Sequence, residues 1–415
     1  MEPRFCDWHT HLNFSKDSPL SIKEYFEERL PRVIRDIPLA GVSITDHNTL
    51  RAYTVGEAEE YIRSMNNQLD TRVKLLIGTE LSLDVMFGEK KDHWHFLFYH
   101  PNTKGSLKRT AEWLENGTLG YLMRTIASQN NERHRLMAEK AARYLNLIPG
   151  DTQALNSIIE MEREPSPETG REHIKKALTI LFPHLKNRVQ DMFSSSCDDE
   201  RSSCYVANEE VNGFDVPYIR VLEELKREYP KGIVLLAHPW RYDSEFRFAN
   251  KPKAAQGRLR DMSEFVPELA RQDLIRGLEI YGYYLIPKHL RDMDLQDLIE
   301  NHVPGNVQHS VRCPLKLDKD TGKEYTIKHL RYIGTRYRLI AERVNEARKR
   351  EGGRLSEIRF LCAGGNDSHG EELPGGKPDI PIGYGCRETD PLPFDMTGIR
   401  HTPARPIPAI GSLSR

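Results

Sequence analysis

The sequence of 415 residues has no run of about 18 consecutive apolar residues, which excludes a conventional membrane-spanning helix. Its first residues, MEPRFCDWHTH, lack a basic region followed by an apolar stretch, so we expect no secretory signal. The formal net charge of −1 gives no overall field that would draw the protein onto nucleic acid or an anionic membrane. With 38% hydrophobic and 29% charged residues, the composition predicts a globular protein of one large domain or two, without membrane partners.

Cysteine pairs of the metal-binding type are also missing. The six cysteines are scattered and none lies in a CxxC motif. For a chain of this size, that pattern is typical of a reduced protein, and we expect a cytoplasmic location. The sequence also lacks internal repeats and coiled-coil heptads.

The pattern of apolar and charged residues changes along the chain. Residues 1–105 alternate apolar runs such as AGVSITDHNT, VKLLIGTELSL and HWHFLFY with helical patterns, and residues 215–372 return to that alternation. Residues 106–214 are charged and helical in period, which predicts a helical insertion, and residues 373–415 form a tail rich in proline and glycine. Strands that alternate with helices predict an α/β fold with a mainly parallel sheet or barrel.

Candidate metal ligands occur where apolar strands meet polar residues. Residues i and i+2 of a strand project from the same face, so His9 and His11 form one pair of candidate ligands. The carboxyl ends of strands in such folds meet at one rim, where sites are built, and imidazole with carboxylate suits zinc, manganese or iron. The further candidates are the pairs His93/His95 and Asp367/His369, and the strand-end residues Asp46, His47, Glu80 and His238.

Each of these features also has a structural explanation when it is taken alone. A single HxH motif can be buried structure, and an acidic residue at a strand end is often a helix cap or a surface residue. Most of the other histidines lie in helical or loop segments. The recurrence of imidazoles and carboxylates on successive strands therefore favours one shared metal site.

The order of these motifs resembles the PHP (polymerase and histidinol phosphatase) domain. The motifs are DWHTHLNFSKD, SITDHNT, IGTELS, HWHFLF, LLAHPWR, GLEIYG and GGNDSHG. The resemblance implies a distorted (β/α)7 barrel of the PHP type with a helical insertion, which holds three divalent metals and hydrolyses phosphate esters. By analogy we expect manganese, with zinc or iron as alternatives. The ligands that the resemblance implies are His9, His11 and Asp367 for one metal, His47, His369 and Asp17 for the second, His95 and His238 for the third, and Glu80 as a bridge between two of them.

Two positions depart from the family pattern or leave a choice. The family usually has Ser-Asp-Gly five residues after the second histidine, whereas FSKDSP places Asp17 six residues after His11, with Lys16 inserted and no glycine. His93 is an alternative to His95. The alternating HFLFY that starts at His95 fits the family better, and we expect His93 to be a polar residue at the rim.

One branch of the family carries a helical insertion between the third and fourth motifs, with a segment similar to Gly-Arg-Pro-His-Ile-Ala. TGREHIKKAL, residues 169–178, resembles that segment, with Glu172 where proline is usual. The branch hydrolyses nucleoside 3′,5′-bisphosphates and trims 5′-phosphorylated short RNA. The likeness implies that Arg171 and His173 contact the phosphate or ribose of the substrate, and a solvated helix start is the alternative.

The expected mechanism is hydrolysis by a metal-bound hydroxide, because metals lower the pKa of bound water from about 15.7 to near 7. Asp46 is expected to fix the tautomer of a histidine, with a cap or turn role as the alternative. Arg241 is expected to clamp a phosphate oxygen, with an exposed loop position as the alternative. Glu279 matches an acidic position of the family and is not expected to bind metal.

Four functions follow as hypotheses. The leading one is a phosphoesterase for a phosphorylated nucleotide or the 5′ end of short nucleic acid. The second is a small-molecule phosphatase of the histidinol-phosphate type, against which the long insertion argues. The third is a nucleic-acid-binding or partner-binding module with structural metals, which would predict eroded ligands. The fourth is a nuclease subunit of a larger assembly, with the insertion and the tail as contact surfaces for a protein partner.

Overall fold

The computed structural model describes residues 5–36, 39–87, 90–193, 203–206, 210–211, 217–244, 260–281, 315–316, 324–325 and 327–364. The predicted ligands Asp367 and His369 lie outside them, as does the predicted tail at 373–415.

A seven-stranded sheet forms the centre of the fold. Its strands are β1 (Phe5–Thr10), β2 (Leu39–Ile44), β3 (Lys74–Phe87), β4 (Lys90–His100), β5 (Ile233–Leu236), β6 (Gly277–Tyr281) and β9 (Leu361–Gly364), in the order β1-β2-β3-β4-β5-β6-β9. Two further short strands, β7 (Leu315–Lys316) and β8 (Glu324–Tyr325), pair with each other. The edge strands β1 and β9 approach each other, so the sheet nearly closes into a barrel. The predicted α/β barrel is confirmed.

Strand β4 is antiparallel to both of its neighbours, whereas the other neighbouring strands of the sheet are parallel. Only residues 88–89 separate β3 from β4, too few for the crossover that parallel strands require. The register places Ser82 opposite His95. Because Glu80 lies two residues before Ser82 on the same face, Glu80 and His95 become diagonal neighbours on that face.

The helices surround the sheet and extend from it. They are α1 (Ile22–Glu24), α2 (Leu30–Asp36), α3 (Arg51–Thr54), α4 (Ala58–Leu69), α5 (Leu107–Glu115), α6 (Thr118–Tyr144), α7 (Pro149–Arg163), α8 (Arg171–Leu181), α9 (Lys186–Met192), α10 (Tyr218–Glu228), α11 (Met262–Arg271) and α12 (Ile327–Glu351). A π-helical turn, Tyr25–Arg29, joins α1 to α2. Ser21 caps α1, because its Oγ accepts the N–H of Glu24 at 3.1 Å. None of the described helices has the length and apolar character that crossing a bilayer needs.

Helix α6 joins two separate hydrophobic clusters. Its first half carries Leu119 and Leu122 into the main core beside the sheet, and its second half carries Met137 and Ala141 into a cluster shared with α7, α8 and α9. With 27 residues, α6 is about 40 Å long, which is enough to reach from one cluster to the other. The segments predicted to be helical are helical, and the division of the chain at 106, 215 and 373 stays a prediction.

A third cluster fills the barrel between the strands. Alternate residues of several strands supply it, among them Trp8 on β1 and Leu97 and Tyr99 on β4. These side chains share the strand faces that, at one rim, carry Glu80 and His95. We call these apolar side chains the apolar floor of the barrel. They pack beneath the polar side chains at one rim, as in folds that have their sites at one end of a barrel.

Candidate metal centre

The carboxylate of Glu80 lies among histidines and is fully buried. Its Oε2 lies 3.0 Å from Nε2 of His11 and 3.3 Å from Nε2 of His9. The same oxygen lies 3.1 Å from Nδ1 of His47. Three imidazole nitrogens therefore surround one carboxylate oxygen.

The second oxygen of Glu80 faces two more histidines. Its Oε1 lies 2.6 Å from Nδ1 of His95 and 3.0 Å from Nε2 of His238. These two nitrogens are themselves 3.2 Å apart. The predicted bridging position of Glu80 thus corresponds to a carboxylate whose two oxygens each face a different group of imidazoles.

Asp17 reaches this cluster in spite of its unusual spacing. Its Oδ2 lies 3.3 Å from Nε2 of His47, and its side chain is 35% exposed, far more than that of Glu80. Ser15 donates its Oγ–H to Oδ1 of Asp17 at 2.9 Å, which fixes the carboxylate within the turn after His11. The extra residue before Asp17 is accommodated in that turn. We call Asp17, Glu80 and the five histidines at 9, 11, 47, 95 and 238 the metal-site cluster.

Local backbone features aim these side chains at one point. The register of β1 against β2 shifts between Asp7 and Thr10, in the segment that carries His9, and such irregularities redirect side chains. His47 follows β2 and forms a parallel bridge with Glu80. His238 follows β5 with a positive φ of 28°, a conformation unfavourable for a residue other than glycine. Its backbone is therefore strained at the point where the side chain enters the cluster.

Two acidic residues hold the cluster from outside. Oε1 of Glu279 lies 3.2 Å from Nδ1 of His9, and its Oε2 accepts the backbone N–H of His238 at 2.7 Å. Oδ1 of Asp46 accepts the backbone N–H of Leu12 at 2.5 Å, directly after His11. Asp46 thereby holds the chain next to a candidate ligand, and its predicted role in fixing a histidine tautomer stays a prediction.

His93 lies on the same strand as His95 but contacts a different acid. Its Nδ1 lies 2.6 Å from Oδ1 of Asp84, which is its direct partner across β3 and β4. The structure therefore groups His95 with Glu80 and places His93 in a cross-strand pair at the hairpin.

The start of α8 lies against the loop of Lys16 and Asp17, because a Cβ at Gly170 would lie 2.3 Å from the carbonyl oxygen of Lys16. We call the partly exposed side of the cluster, where Lys16 and Asp17 reach solvent, its mouth. Arg171 is the first residue of α8, and Nδ1 of His173 accepts the backbone N–H of Gly170 at 2.9 Å. Burial lowers the pKa of His173, and the charge of Asp17 opposes that shift. Burial also lowers the pKa of His95, with smaller contributions in the same direction from Arg241 and Lys16. Lys16 adjoins Asp17 in sequence, and the exposed Arg241 ends the short helical turn that follows His238.

Burial and close charges shift the pKa values of Glu80 and His47 within the cluster. Burial acts to raise the pKa of Glu80, but His95, His47, His9 and a hydrogen bond from His11 hold it well below its usual value. Burial lowers the pKa of His47 to about 3, with Glu80 and Asp17 opposing the shift. An ionised carboxylate beside neutral imidazoles is the state in which these side chains bind metal.

The donor set fits a divalent metal. Within the described residues, three groups of side chains have ligand atoms all within 4.8 Å of one another. Imidazole nitrogen with carboxylate oxygen suits zinc, iron and manganese. The three groups are His9, His11 and Glu80; His11, Asp17 and His47; and His47, Glu80 and His95.

Comparison with known proteins shows the fold. No protein-family description matches this sequence, and no curated protein matches it. A solved structure from Bifidobacterium adolescentis, described as a "putative metal-dependent phosphoesterase", is 19% identical with a TM-score of 0.50, over 95% of this chain and 98% of that one. An amidohydrolase from Chromobacterium violaceum with bound sulfate and no metal is 15% identical with a TM-score of 0.48, over 91% of this chain and 92% of that one. The first similarity shows a shared fold, and the PHP resemblance remains an inference from the motifs.

Proposed function

We propose that this protein is a metal-dependent phosphoesterase that hydrolyses a phosphorylated nucleotide or the 5′ end of short nucleic acid. The observation that carries the proposal is the buried carboxylate of Glu80, with nitrogens of five histidines within 3.3 Å of its two oxygens. Burial of a carboxylate costs free energy unless its charge is compensated. Imidazole nitrogens next to both of its oxygens suit a carboxylate that bridges metals. The shared fold with a protein described as a phosphoesterase supports the same reaction class.

The described residues supply ligands for more than one ion. His9, His11 and Glu80 would hold one metal, and Asp17 and His47 a second. Glu80 with His95 and His238 would hold a third. The resemblance adds Asp367 and His369 to the first two sites, and manganese remains our proposal for the metal.

The remaining residues prepare the site. Divalent metals, when bound, lower the pKa of water and polarise phosphoryl oxygens. Glu279 orients the ring of His9, because a carboxylate on the second ring nitrogen fixes which nitrogen faces the metal. Arg171, His173 and Arg241 would bind phosphate oxygens at the mouth, where a guanidinium can donate two parallel hydrogen bonds.

The test is metal analysis of the purified protein followed by hydrolysis assays with and without a chelator. The substrates are a nucleoside 3′,5′-bisphosphate, a 5′-phosphorylated oligonucleotide and histidinol phosphate. We expect chelator-sensitive release of phosphate or nucleotide from the first two. Turnover that resists the chelator would contradict the metal-dependent mechanism, and activity on histidinol phosphate alone would favour a small-molecule phosphatase.

A His9→Ala, His11→Ala protein tests the ligand assignment. We expect it to lose metal and activity together, because both rings face Oε2 of Glu80. The matched control replaces His184, an exposed histidine before α9, by alanine and should keep both. A double variant that retains full metal content and activity would refute the assignment.

A further inference from the structure

A fully buried acid, Glu168, lies between the helical region and the metal-site cluster. Its Oε1 accepts from Nδ2 of Asn48 at 2.8 Å, and its Oε2 accepts from Nδ2 of Asn130 at 3.1 Å. Nζ of Lys16 lies 3.4 Å from the same Oε2. Neither Lys16 nor Glu168 belongs to the ligands or substrate residues derived from the motifs.

These contacts join residues that are sequence neighbours of the cluster. Lys16 precedes Asp17, and Asn48 follows His47. Oδ1 of Asn48 accepts the backbone N–H of Ser82, two residues after Glu80. Glu168 is therefore connected to helix α6 on one side and to the metal-site strands on the other.

The ammonium group of Lys16 keeps capacity for another partner. The carboxylate of Glu168 already accepts two amide hydrogen bonds, so it does not depend on Lys16 alone. The distance of 3.4 Å between Lys16 and Glu168 is longer than a charge-assisted hydrogen bond of about 2.7–2.9 Å. The lysine side chain is 18% exposed, and an ammonium group has three donors. It can therefore reach an anion at the mouth while it stays next to Glu168.

The backbone of Lys16 is fixed by the start of α8. A Cβ at Gly170 would lie 2.3 Å from the carbonyl oxygen of Lys16, so the two segments are in direct contact. Arg171 and His173 follow Gly170 in the first turn of α8, beside this contact. Asp17, the next residue in the chain, lies 3.3 Å from Nε2 of His47 through its carboxylate, so Lys16 directly adjoins the metal-site cluster.

We propose that Lys16 binds a phosphate oxygen of the substrate and that Glu168 positions its ammonium group. The inference rests on the proposed phosphoesterase function and specifies which residue recognises the phosphate charge. Lys16 is the residue inserted before Asp17, so the departure from the Ser-Asp-Gly pattern supplies a cation at the mouth. Asn48 and Asn130 hold the carboxyl group of Glu168 in place by donating to it, and Glu168 acts through Lys16.

The direct test is calorimetric binding of inorganic phosphate to the manganese-loaded full chain. We expect Lys16→Met to weaken phosphate binding by about ten- to a hundredfold, since a hydrogen bond to a charged group is lost. Lys16→Arg should restore most of the affinity. Lys23→Met is the matched control, because Lys23 is 69% exposed on α1, and it should bind phosphate as the unaltered protein does.

Metal content and thermal unfolding of the same proteins separate binding from structure. We expect Lys16→Met to keep the metal content of the unaltered protein. A variant that binds phosphate normally would overturn the proposal. So would one whose weaker phosphate binding is accompanied by loss of metal, because Lys16 would then only support the ligands. Failure of the unaltered manganese-loaded protein to bind phosphate would also overturn it.

A double-variant cycle tests the role of Glu168. Glu168→Gln should weaken phosphate binding in the unaltered background and change it little in the Lys16→Met background, because positioning needs the ammonium group. Equal effects in the two backgrounds would refute positioning through Lys16.

Kinetics with phosphate esters keep this proposal separate from the proposed function. Lys16→Met should raise KM for the dianion p-nitrophenyl phosphate more than for the monoanion bis(p-nitrophenyl) phosphate, with a smaller change in kcat. If the unaltered protein hydrolyses no phosphate ester, the proposed function fails, while the phosphate-binding data still decide the role of Lys16.

Discussion

Glu279 and His9 form a buried pair in which the acid contacts the ring nitrogen that faces away from Glu80. Oε1 of Glu279 lies 3.2 Å from Nδ1 of His9, while Nε2 of His9 lies 3.3 Å from Glu80. One histidine is thus held between two carboxylates on opposite sides of its ring. The other oxygen of Glu279 accepts the backbone N–H of His238, so the same acid positions two candidate ligands.

Replacement of Glu279 by glutamine should weaken metal binding by about 10- to 100-fold, the usual effect of losing an orienting partner. The amide offers one acceptor where the carboxylate offers two, so His9 and the N–H of His238 cannot both be satisfied. Titration of the metal-free protein with manganese measures the change. The control is Glu268→Gln on the exposed face of α11, and equal affinities in the two variants would contradict the role of Glu279.

His95 and His93 make a matched pair on one strand. We expect His95→Ala to lose bound metal, because its Nδ1 lies 2.6 Å from Glu80, and His93→Ala to keep it, because its ring pairs with Asp84. Elemental analysis of the two purified variants measures the metal content. The opposite result would assign the third site to His93.

Gly170→Ala should destabilise the protein by about 1–3 kcal/mol, as overpacking does, because the new methyl group would meet the carbonyl of Lys16. Gly150→Ala is the control. Among the described residues, no atom beyond the chain neighbours and the backbone of the helix itself lies within 4 Å of the Cβ position at Gly150, and alanine in helix α7 should stabilise by about 0.5–1 kcal/mol. Urea unfolding of both variants decides, and a neutral Gly170→Ala would show that the loop before Asp17 moves freely.

The free energy of unfolding should decrease as the pH is lowered, because His100 is buried in its neutral form. This side chain is buried at the end of β4, where burial lowers its pKa to about 4 and the hydrogen bond to the carbonyl of Pro101 opposes the shift. The unfolded chain binds a proton below about pH 6.5, whereas the folded protein does not until about pH 4. His100 therefore does not weaken the folded state above about pH 6.5. Between about pH 6.5 and pH 4, the free energy of unfolding falls by about 1.4 kcal/mol per pH unit.

The measurement compares unfolding of the metal-free protein and of metal-free His100→Gln at pH 7 and pH 5. Between these values the unaltered protein should lose about 2 kcal/mol more than the variant. The control is Leu30→Ala on α2, which removes a buried apolar side chain but no titrating group and should lower stability equally at both pH values. Identical pH dependence in His100→Gln would assign the acid sensitivity to other residues.

Much of the barrel was predictable from local patterns. Alternating apolar runs and helical segments indicated the strands, and the charged, helical pattern within residues 106–214 indicated the helices α5 to α9. The pattern of apolar and polar residues did not indicate that β4 is antiparallel to its neighbours. His95 begins its apolar run where the other candidates end theirs, and it reaches the same rim because β4 runs antiparallel to its neighbours.

The role of Glu279 was visible in the sequence only as an acidic residue in a strand motif. Its contacts with His9 and with the N–H of His238 form because the fold brings β6 close to residues that are distant from it in the sequence. Lys16 appeared only as an insertion before Asp17. Its neighbour Glu168 lies in the helical region, where no motif connected it to the strands.

The sequence by itself determined which side chains are available as ligands, because the strand period of two puts His9 and His11 on one face and local turns put polar residues at strand ends. The tertiary structure decided how they combine. In the sequence, Glu80 lies 71 residues from His9 and 158 from His238. In the structure, Oε2 of Glu80 lies next to Nε2 of His9, and Oε1 lies next to Nε2 of His238. Such distances in sequence are closed only by strand pairing and by burial of the apolar floor beneath the rim, which are properties of the whole barrel.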